Sequence, residues 1–188
     1  MAKLESTLKN MILSLLFISM GMSAALGYVY VLTKKPIEEA SKKAETSAIT
    51  DVLPAFDNDP LAEVKEIEGL RYYIGKNKGE TIGCAVKTFT DKGFSGHFEL
   101  MVGFKPDGTI NKIAVLDQNE TPGLGDKMKT KWKDQFNEKN PSNFQLVVKK
   151  DGGMVDAITA STITSRAFCD AVSKAYDGFM KNISQNNK

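Results

Sequence analysis

The chain is poor in the residues that most metal sites and acid–base enzymes use. It has two cysteines, Cys84 and Cys169, and a single histidine, His97, among 188 residues. The cysteines lack the close paired spacing that zinc or an iron–sulfur cluster requires, so no metal site is predicted. One histidine leaves little room for histidine-based catalysis, and we expect His97 to be a surface or packing residue.

The two cysteines allow either one disulfide or two free thiols. Cys84 lies in a strand-like run and Cys169 on a helix-like face. Free cysteine is among the most buried residue types. We therefore expect two reduced thiols in the core, with a disulfide as the alternative.

A large excess of charge is also absent. Lys and Arg total 25 against 23 Asp and Glu, which leaves a net charge of +2. Such a balance provides no strong field for attracting a polyanion, so nucleic acid is not predicted as a partner. The 41% of hydrophobic residues suffices for one packed core, and the length fits one domain with a small additional element.

One long apolar run stands near the N-terminus. Residues 11–32 are 22 consecutive residues without a charge. As a helix they would reach about 33 Å, which matches a hydrocarbon core of about 30 Å. Lys9 and Lys34 flank the run, and Tyr28 and Tyr30 lie where an interfacial aromatic belt is expected. The run predicts a transmembrane helix.

A cleaved signal peptide is the alternative, but its apolar region is normally about 7–15 residues long. Lysines occur on both sides of the run, so their distribution does not set its orientation. We predict a short N-terminal segment at 1–10, the transmembrane helix at 11–32, a stalk at 33–64 and a folded domain at 65–188. The stalk is rich in Ala, Lys, Glu and Asp and is interrupted by Pro54 and Pro60.

The pattern beyond residue 65 indicates two β-hairpins followed by helical segments. LRYYIGK and TIGCAVKTF flank the turn NKGE, and FELMVGF and TINKIAVLD flank PDG. Residues 126–139 are compatible with a helix, and FQLVVKK is typical of a strand. The last segment spaces Phe168, Val172, Ala175 and Phe179 for one helix face. The predicted fold is α+β, with one N-terminal transmembrane helix, an antiparallel sheet and flanking helices.

Hydroxyl side chains crowd the segment DAITASTITSR, residues 156–166, at the start of the closing helix. A helix start presents unpaired N–H groups and the positive end of the helix dipole, which stabilise a phosphate. The alternative is that Thr159 or Ser161 merely caps the helix, as Ser and Thr commonly do.

DAITASTITSR resembles the attachment motif of the covalent-FMN domain family, a D…[ST]GAT signature whose last Thr bears the FMN phosphate. The resemblance assigns Asp156 to the acidic position, Thr159 to the first hydroxyl, Ala160 to Gly, Ser161 to Ala and Thr162 to the attachment residue. Alanine in place of glycine is expected to fit only with a negative φ. Ser161 supplies a second candidate hydroxyl beside Thr162.

A second segment, ETPGLGDK at residues 120–127, resembles the other hallmark of this family. Its turn lets the backbone approach a flat ligand, with Leu124 against the ligand face and Glu120 orienting a group. The resemblance implies a cofactor site that includes Glu120, Thr121, Gly123, Leu124 and Gly125. A third run, GFSGHFELMVGF at residues 93–104, resembles the glycine-aromatic segment before the family's central strand.

The order of anchor, stalk and domain resembles the G-subunit family of Rnf-type ion-translocating complexes. This resemblance implies an electron-carrying subunit with covalent FMN, partner subunits in the membrane and a flavin transferase for maturation. It also implies an FMN domain on the outer face of the cytoplasmic membrane. Two alternatives remain: the C-subunit family of Na⁺-pumping NADH:quinone reductases, which generally has a longer chain, and a membrane-anchored binding module without redox chemistry.

Overall fold

The computed structural model describes residues 7–184, so part of the predicted N-terminal segment at 1–10 lies outside the described residues. The chain divides into two compact units, Met1–Lys43 and Ala44–Lys188. Helix α1, Leu8–Val52, runs without interruption through Pro36. Its apolar part has a mean hydropathy of 1.9 over 18 residues and none of this window is buried. By length and composition, this helix can cross a membrane.

The second unit is built on a five-stranded antiparallel sheet in which neighbours in sequence are neighbours in space. The strands are β1 (Lys65–Ile67), β2 (Leu70–Asn77), β3 (Glu80–Gly93), β4 (Gly96–Phe104) and β5 (Ile110–Gln118). Strands β2 and β3 form the first predicted hairpin, and β4 and β5 form the second. Both hairpin predictions and the α+β fold class are confirmed.

Helix α2, Thr162–Asn182, packs on one face of the sheet. The four residues predicted to face the core, Phe168, Val172, Ala175 and Phe179, are all buried there. Three 3₁₀ helices, Gly125–Lys129, Lys131–Phe136 and Lys149–Asp151, connect β5 to α2. The helix-compatible segment at 126–139 therefore forms two tight 3₁₀ helices.

The strand predicted for FQLVVKK is wrong. Residues 144–150 are largely irregular, and their single bridge joins Val148 to Val155. The backbone N–H of Lys149 donates to the carbonyl of Val155 at 2.8 Å, and the N–H of Val155 donates to the carbonyl of Val147 at 3.0 Å. Because these groups pair within a local loop, they are not available to extend the sheet.

The last turns of α1 pack on the opposite face of the sheet. Ile49, Val52 and Leu53 are buried against Tyr73, Ala85 and Met101. At Gly103 a Cβ atom would lie 2.1 Å from the carbonyl oxygen of Val52, so only glycine permits this approach. The compact unit consequently begins at Ala44 and includes residues that the sequence placed in a stalk at 33–64.

Cys84 and Cys169 are both buried and free, as the sequence predicted. Burial disfavours the thiolate and raises the pKa of each thiol to about 12. These side chains act as small apolar core residues.

Candidate functional site

A half-open cleft of about 280 Å³ lies where three segments of the second unit meet. The segments are the turn between β3 and β4, the loop after β5 and the start of α2. The lining residues are Phe94, Glu120, Thr121, Leu124, Ala160, Ser161, Thr162 and Ile163. The structure therefore brings the two predicted motifs, DAITASTITSR and ETPGLGDK, together at one site.

Three hydroxyls at the junction of the loop and α2, those of Ser161, Thr164 and Ser165, bond within this junction. The Ser165 hydroxyl donates to the carbonyl of Ser161 at 2.9 Å and accepts from the N–H of Ile158 at 2.9 Å. The Ser161 hydroxyl lies 2.9 Å from that of Thr164, and both residues are buried. These three hydroxyls satisfy one another and the backbone, and so hold the loop in one shape.

Thr162 differs from its neighbours. It is half-buried, it is the first residue of α2, and it lines the cleft. Its Oγ1 accepts a hydrogen bond from Nζ of Lys150 at 3.3 Å. Ser161 occupies the N-cap position but makes no side-chain capping bond. Helix capping by Ser161, the alternative considered from the sequence, is therefore not observed.

Ala160 has a φ of +62°, so the expectation of a negative φ is wrong. The N–H of Ser161 donates to the carbonyl of Ile158 at 2.9 Å, which closes a four-residue turn with Ala160 in third place. A turn of the type that glycine favours requires a positive φ at that place. The turn is thus imposed on an alanine, at a cost in backbone strain.

Glu120 is a buried carboxylate at the base of the cleft, only 5% exposed. Its Oε1 accepts from the N–H of Ser95 at 3.3 Å, while its Oε2 is buried without a hydrogen-bond partner. A Cβ atom at Gly125 would lie 2.6 Å from Oε2, and one at Gly93 would lie 2.7 Å from Oε1. Gly125 therefore makes room for Glu120, a role that the sequence does not indicate.

The structure does not place the side chains of Asp156 and Thr159 among the cleft residues. The Asp156 carboxylate pairs with Lys149 at 2.7 Å, and Thr159 is exposed. The indole N–H of Trp132 donates to the Asp156 carbonyl at 2.7 Å, and the Asp156 N–H donates to Oε1 of Gln135 at 2.7 Å. Asp156 thus anchors the loop through its backbone. Gly123 of the other motif also lies outside the lining, in a turn with φ +77°.

Sequence reasoning did not assign Phe94, Ile163 and Lys150 to the site. Phe94 is 66% exposed and Ile163 is 48% exposed, and with Leu124 they give the cleft an apolar rim. Phe94 lies within the run GFSGHFELMVGF, which the resemblance relates only to the fold. An exposed aromatic residue in a glycine-rich turn is the feature that could have indicated a ligand contact.

His97 lies on the surface, as expected. Its Nδ1 is 2.7 Å from Oδ1 of Asp91, and this hydrogen bond raises the pKa of the imidazole. Among residues 7–184, no three His, Cys, Asp or Glu side chains are grouped so that they could hold a metal ion.

The FMN-binding domain model matches residues 93–177, a range that contains the whole cleft. The chain is 36% identical over 190 residues to the G subunit of the Na⁺-translocating ferredoxin:NAD⁺ oxidoreductase complex of Acetobacterium woodii, covering 92% of this chain and 91% of that protein. It is 32% identical over 177 residues to the G subunit of the ion-translocating oxidoreductase complex of Pasteurella multocida, covering 85% and 87% of the two chains.

The fold is also similar to the crystal structure of the C subunit of the Na⁺-translocating NADH-quinone reductase from Parabacteroides distasonis. The TM-score is 0.53 at 19% identity, over 74% of this chain and 82% of that one. At this identity the similarity concerns the fold alone. The identity with the curated relatives over nearly their full length shows that the chain belongs to the G-subunit family of ion-translocating oxidoreductase complexes.

Proposed function

We propose that this protein is the membrane-anchored, electron-carrying subunit of an ion-translocating oxidoreductase complex and that it holds FMN through a phosphoester bond to Thr162. The relatives in its family are named as subunits of such complexes. The cofactor supplies the electron-transfer chemistry, and the protein supplies binding, orientation and electrostatics. In the assembled complex, electron transfer between ferredoxin and NAD would be coupled to the transport of Na⁺ or H⁺.

The observation that carries the proposal is the state of Thr162. Both Thr162 and Ser161 line the cleft, but the Ser161 hydroxyl is bonded to the buried Thr164, whereas the hydroxyl of the half-buried Thr162 contacts Lys150. The start of α2 has no side-chain cap, so its first N–H groups are suited to phosphate oxygens. Thr162 thus combines a hydroxyl on a half-buried residue of the cleft with a favourable electrostatic position.

The residues of the cleft fit a flavin nucleotide. Phe94, Leu124 and Ile163 offer apolar contact to a flat ring, and the Thr162 hydroxyl and Lys150 suit its phosphate. The unpartnered Oε2 of Glu120 is an acceptor suited to a ring N–H or a sugar hydroxyl. We assign cofactor contact to Thr121, Ala160 and Ser161 as well, since they line the same cleft.

Attachment requires a partner enzyme, because forming an ester from a free phosphate and an alcohol in water is unfavourable. A flavin transferase using FAD would transfer the FMN phosphoryl group to Thr162 Oγ1. The P–O bond of the anhydride breaks, AMP leaves with the electron pair, and the hydroxyl proton passes to a base of the transferase. The cleft residues of this chain hold and orient the acceptor.

We propose no independent catalysis by this chain. The only histidine, His97, is paired with Asp91 on the surface and does not line the cleft. Histidine, the most common general base, therefore takes no part at this cleft. Electrons would enter and leave the flavin through cofactors of the other subunits.

We further propose that the chain is a single-pass protein of the cytoplasmic (inner) membrane, with the FMN domain on the outer, periplasmic side. The apolar part of α1 supports the anchor. A domain of this length can be translocated largely regardless of its charge, so the lysines on both sides of the helix are compatible with this orientation. A covalent bond would prevent the loss of FMN on that side.

The attachment residue is tested by co-expression of variants with a flavin transferase. Thr162→Val keeps the shape of the side chain but removes the acceptor, so we expect no flavin after denaturation. Ser161→Ala tests the neighbouring hydroxyl as the acceptor, and we expect it to keep covalent flavin because Thr162 remains available and the Ser161 hydroxyl is bonded to Thr164. In-gel flavin fluorescence after SDS treatment and intact mass provide the measurement.

If the Thr162→Val protein still shows a mass increase of one FMN minus one water, Thr162 is not the attachment residue. Absence of flavin from the wild-type protein, made with an active transferase, would instead favour a binding module without redox chemistry.

A further inference from the structure

The turn before the attachment loop places several charges beside the start of α2. Arg166 forms a two-pronged ion pair with Asp151, with both N–O distances at 2.7 Å. Lys149 pairs with Asp156 at 2.7 Å. The positive charges of Arg166 and Lys149 are therefore already matched by carboxylates at close range.

Lys150 is the exception in this turn. Within residues 7–184 the ion pairs of this turn involve Lys149 and Arg166 and not Lys150, whose charge acts on Asp151 only at longer range. Its Nζ donates to Thr162 Oγ1 at 3.3 Å. The 3₁₀ helix Lys149–Asp151 sets the backbone position of Lys150, and the ion pair between Asp151 and Arg166 ties this helix to α2. The exposed Lys150 side chain thus starts from a position within reach of the oxygen to which the phosphate is assigned.

We propose that Lys150 is a positioning residue for the phosphate, and that its ammonium group compensates the negative charge of the phosphodiester at Thr162. This inference rests on the proposed function, since it requires a phosphoryl group at that oxygen. A phosphodiester carries one negative charge, which one lysine matches. The uncapped N–H groups of α2 and the Lys150 ammonium would approach the same phosphate from the helix axis and from the neighbouring turn.

Lys150 acts both before and after the phosphoester bond to Thr162 forms. Before the bond forms, the ammonium group attracts the incoming phosphoryl group to the acceptor hydroxyl. After it has formed, the ammonium group donates a hydrogen bond to a phosphate oxygen and restrains the attached phosphate. Because Lys150 is exposed, salt should screen its effect.

The first test is the initial rate of flavin attachment to the purified full-length protein, measured by intact mass with a purified flavin transferase and FAD. We expect Lys150→Met to be slower than wild type by about three- to tenfold at low salt, the order expected for one partly screened charge-assisted hydrogen bond. The difference should shrink in high salt. Lys150→Arg should recover most of the rate, and Lys149→Met, the matched loss of charge, should remain near wild type.

A second measurement separates a contact with the phosphate from a contact with the transferase. The ³¹P resonance of fully loaded protein should shift in Lys150→Met and stay in place in Lys149→Met. An unchanged resonance in Lys150→Met, or equal slowing by the two lysine variants, would overturn the inference.

Including Thr162→Val in the same assay distinguishes a failure of the proposed attachment at Thr162 from a failure of the proposed role of Lys150. If it accepts no flavin while Lys150→Met behaves as wild type in both measurements, the inference fails and the proposed function stands. If it still accepts flavin, the proposed function fails.

Discussion

Individual hydroxyl groups around the start of α2 have distinct chemical surroundings. Ser161, Thr164 and Ser165 make buried hydrogen bonds that hold the loop, and replacing them would leave partners unsatisfied. Thr162 lies at the cleft and contacts a lysine. At the scale of the residue, three of these side chains therefore have a structural role, and their neighbour Thr162 has the proposed chemical role.

The positive φ of Ala160 leads to a stability prediction. Glycine adopts this conformation without the Cβ clash that an alanine experiences, although it also loses more freedom on folding. We expect Ala160→Gly to raise the free energy of unfolding by about 0.5–1 kcal/mol. Urea unfolding of the detergent-solubilised protein, followed by Trp132 fluorescence, measures the change.

Ala157 is the matched control, since it lies on the same loop without a positive φ. Ala157→Gly should lower the free energy of unfolding. Equal destabilisation by both substitutions would show that Ala160 carries no relievable strain.

At the scale of the element, α1 has two different roles along its length. Its apolar part has no buried residue within the described chain, whereas Ala48, Ile49 and Val52 are buried. The same end also makes polar contacts: the side-chain amide of Asn111 donates to the carbonyl of Val52 at 2.7 Å, and Lys87 pairs with Glu45 at 3.3 Å. The end of α1 is therefore a structural element of the sheet domain.

Removing one buried side chain from this element tests its role. Ile49 is 2% exposed, so we expect Ile49→Ala to lower the free energy of unfolding by about 2–5 kcal/mol. Ser47→Ala, an exposed position on the same helix turn, should change it by less than about 0.5 kcal/mol. A small effect at Ile49, measured by the same urea titration, would mean that residues 44–52 are a detached stalk in solution.

At the scale of the whole molecule, the chain joins an apolar helix to a domain with its own core. The domain core is formed by the sheet, α2 and the end of α1, all within Ala44–Lys188. The stretch that is long and apolar enough to cross a membrane lies in the other unit. The proposed membrane-anchored subunit needs both parts, an anchor and a separate cofactor domain.

The proposed orientation can be tested with an impermeant maleimide on spheroplasts. Cys84 and Cys169 are 0% and 3% exposed and their pKa values are about 12, so they should not react in the folded protein at neutral pH. A cysteine introduced as Asn143→Cys, on the surface of the domain, should be labelled without lysis. Thr7→Cys, ahead of the apolar run, should react only after lysis, and the reverse pattern would place the domain in the cytoplasm.

Short-range sequence patterns are sufficient to predict much of the structure of this protein. The uncharged run at 11–32, the turn residues of the two hairpins and the helix-face spacing near the C-terminus each depend on neighbours in sequence. The two motifs were recognised by their resemblance to the covalent-FMN domain family, and the structure brings them to one cleft. The irregular course of residues 144–150 was missed because its backbone groups bond to Val155 instead of a sheet edge.

The sequence by itself determined the fold class and the apolar helix, because these follow from local periodicity and turn chemistry, and it identified the two segments of the cleft through their resemblance to a known family. Only the tertiary structure decided that the end of α1 belongs to the domain and that Gly125 makes room for Glu120. It alone placed Lys150 beside Thr162 and buried the Ser161 hydroxyl. These features are contacts set by how the loop and helix pack, and a list of residue types does not contain that geometry.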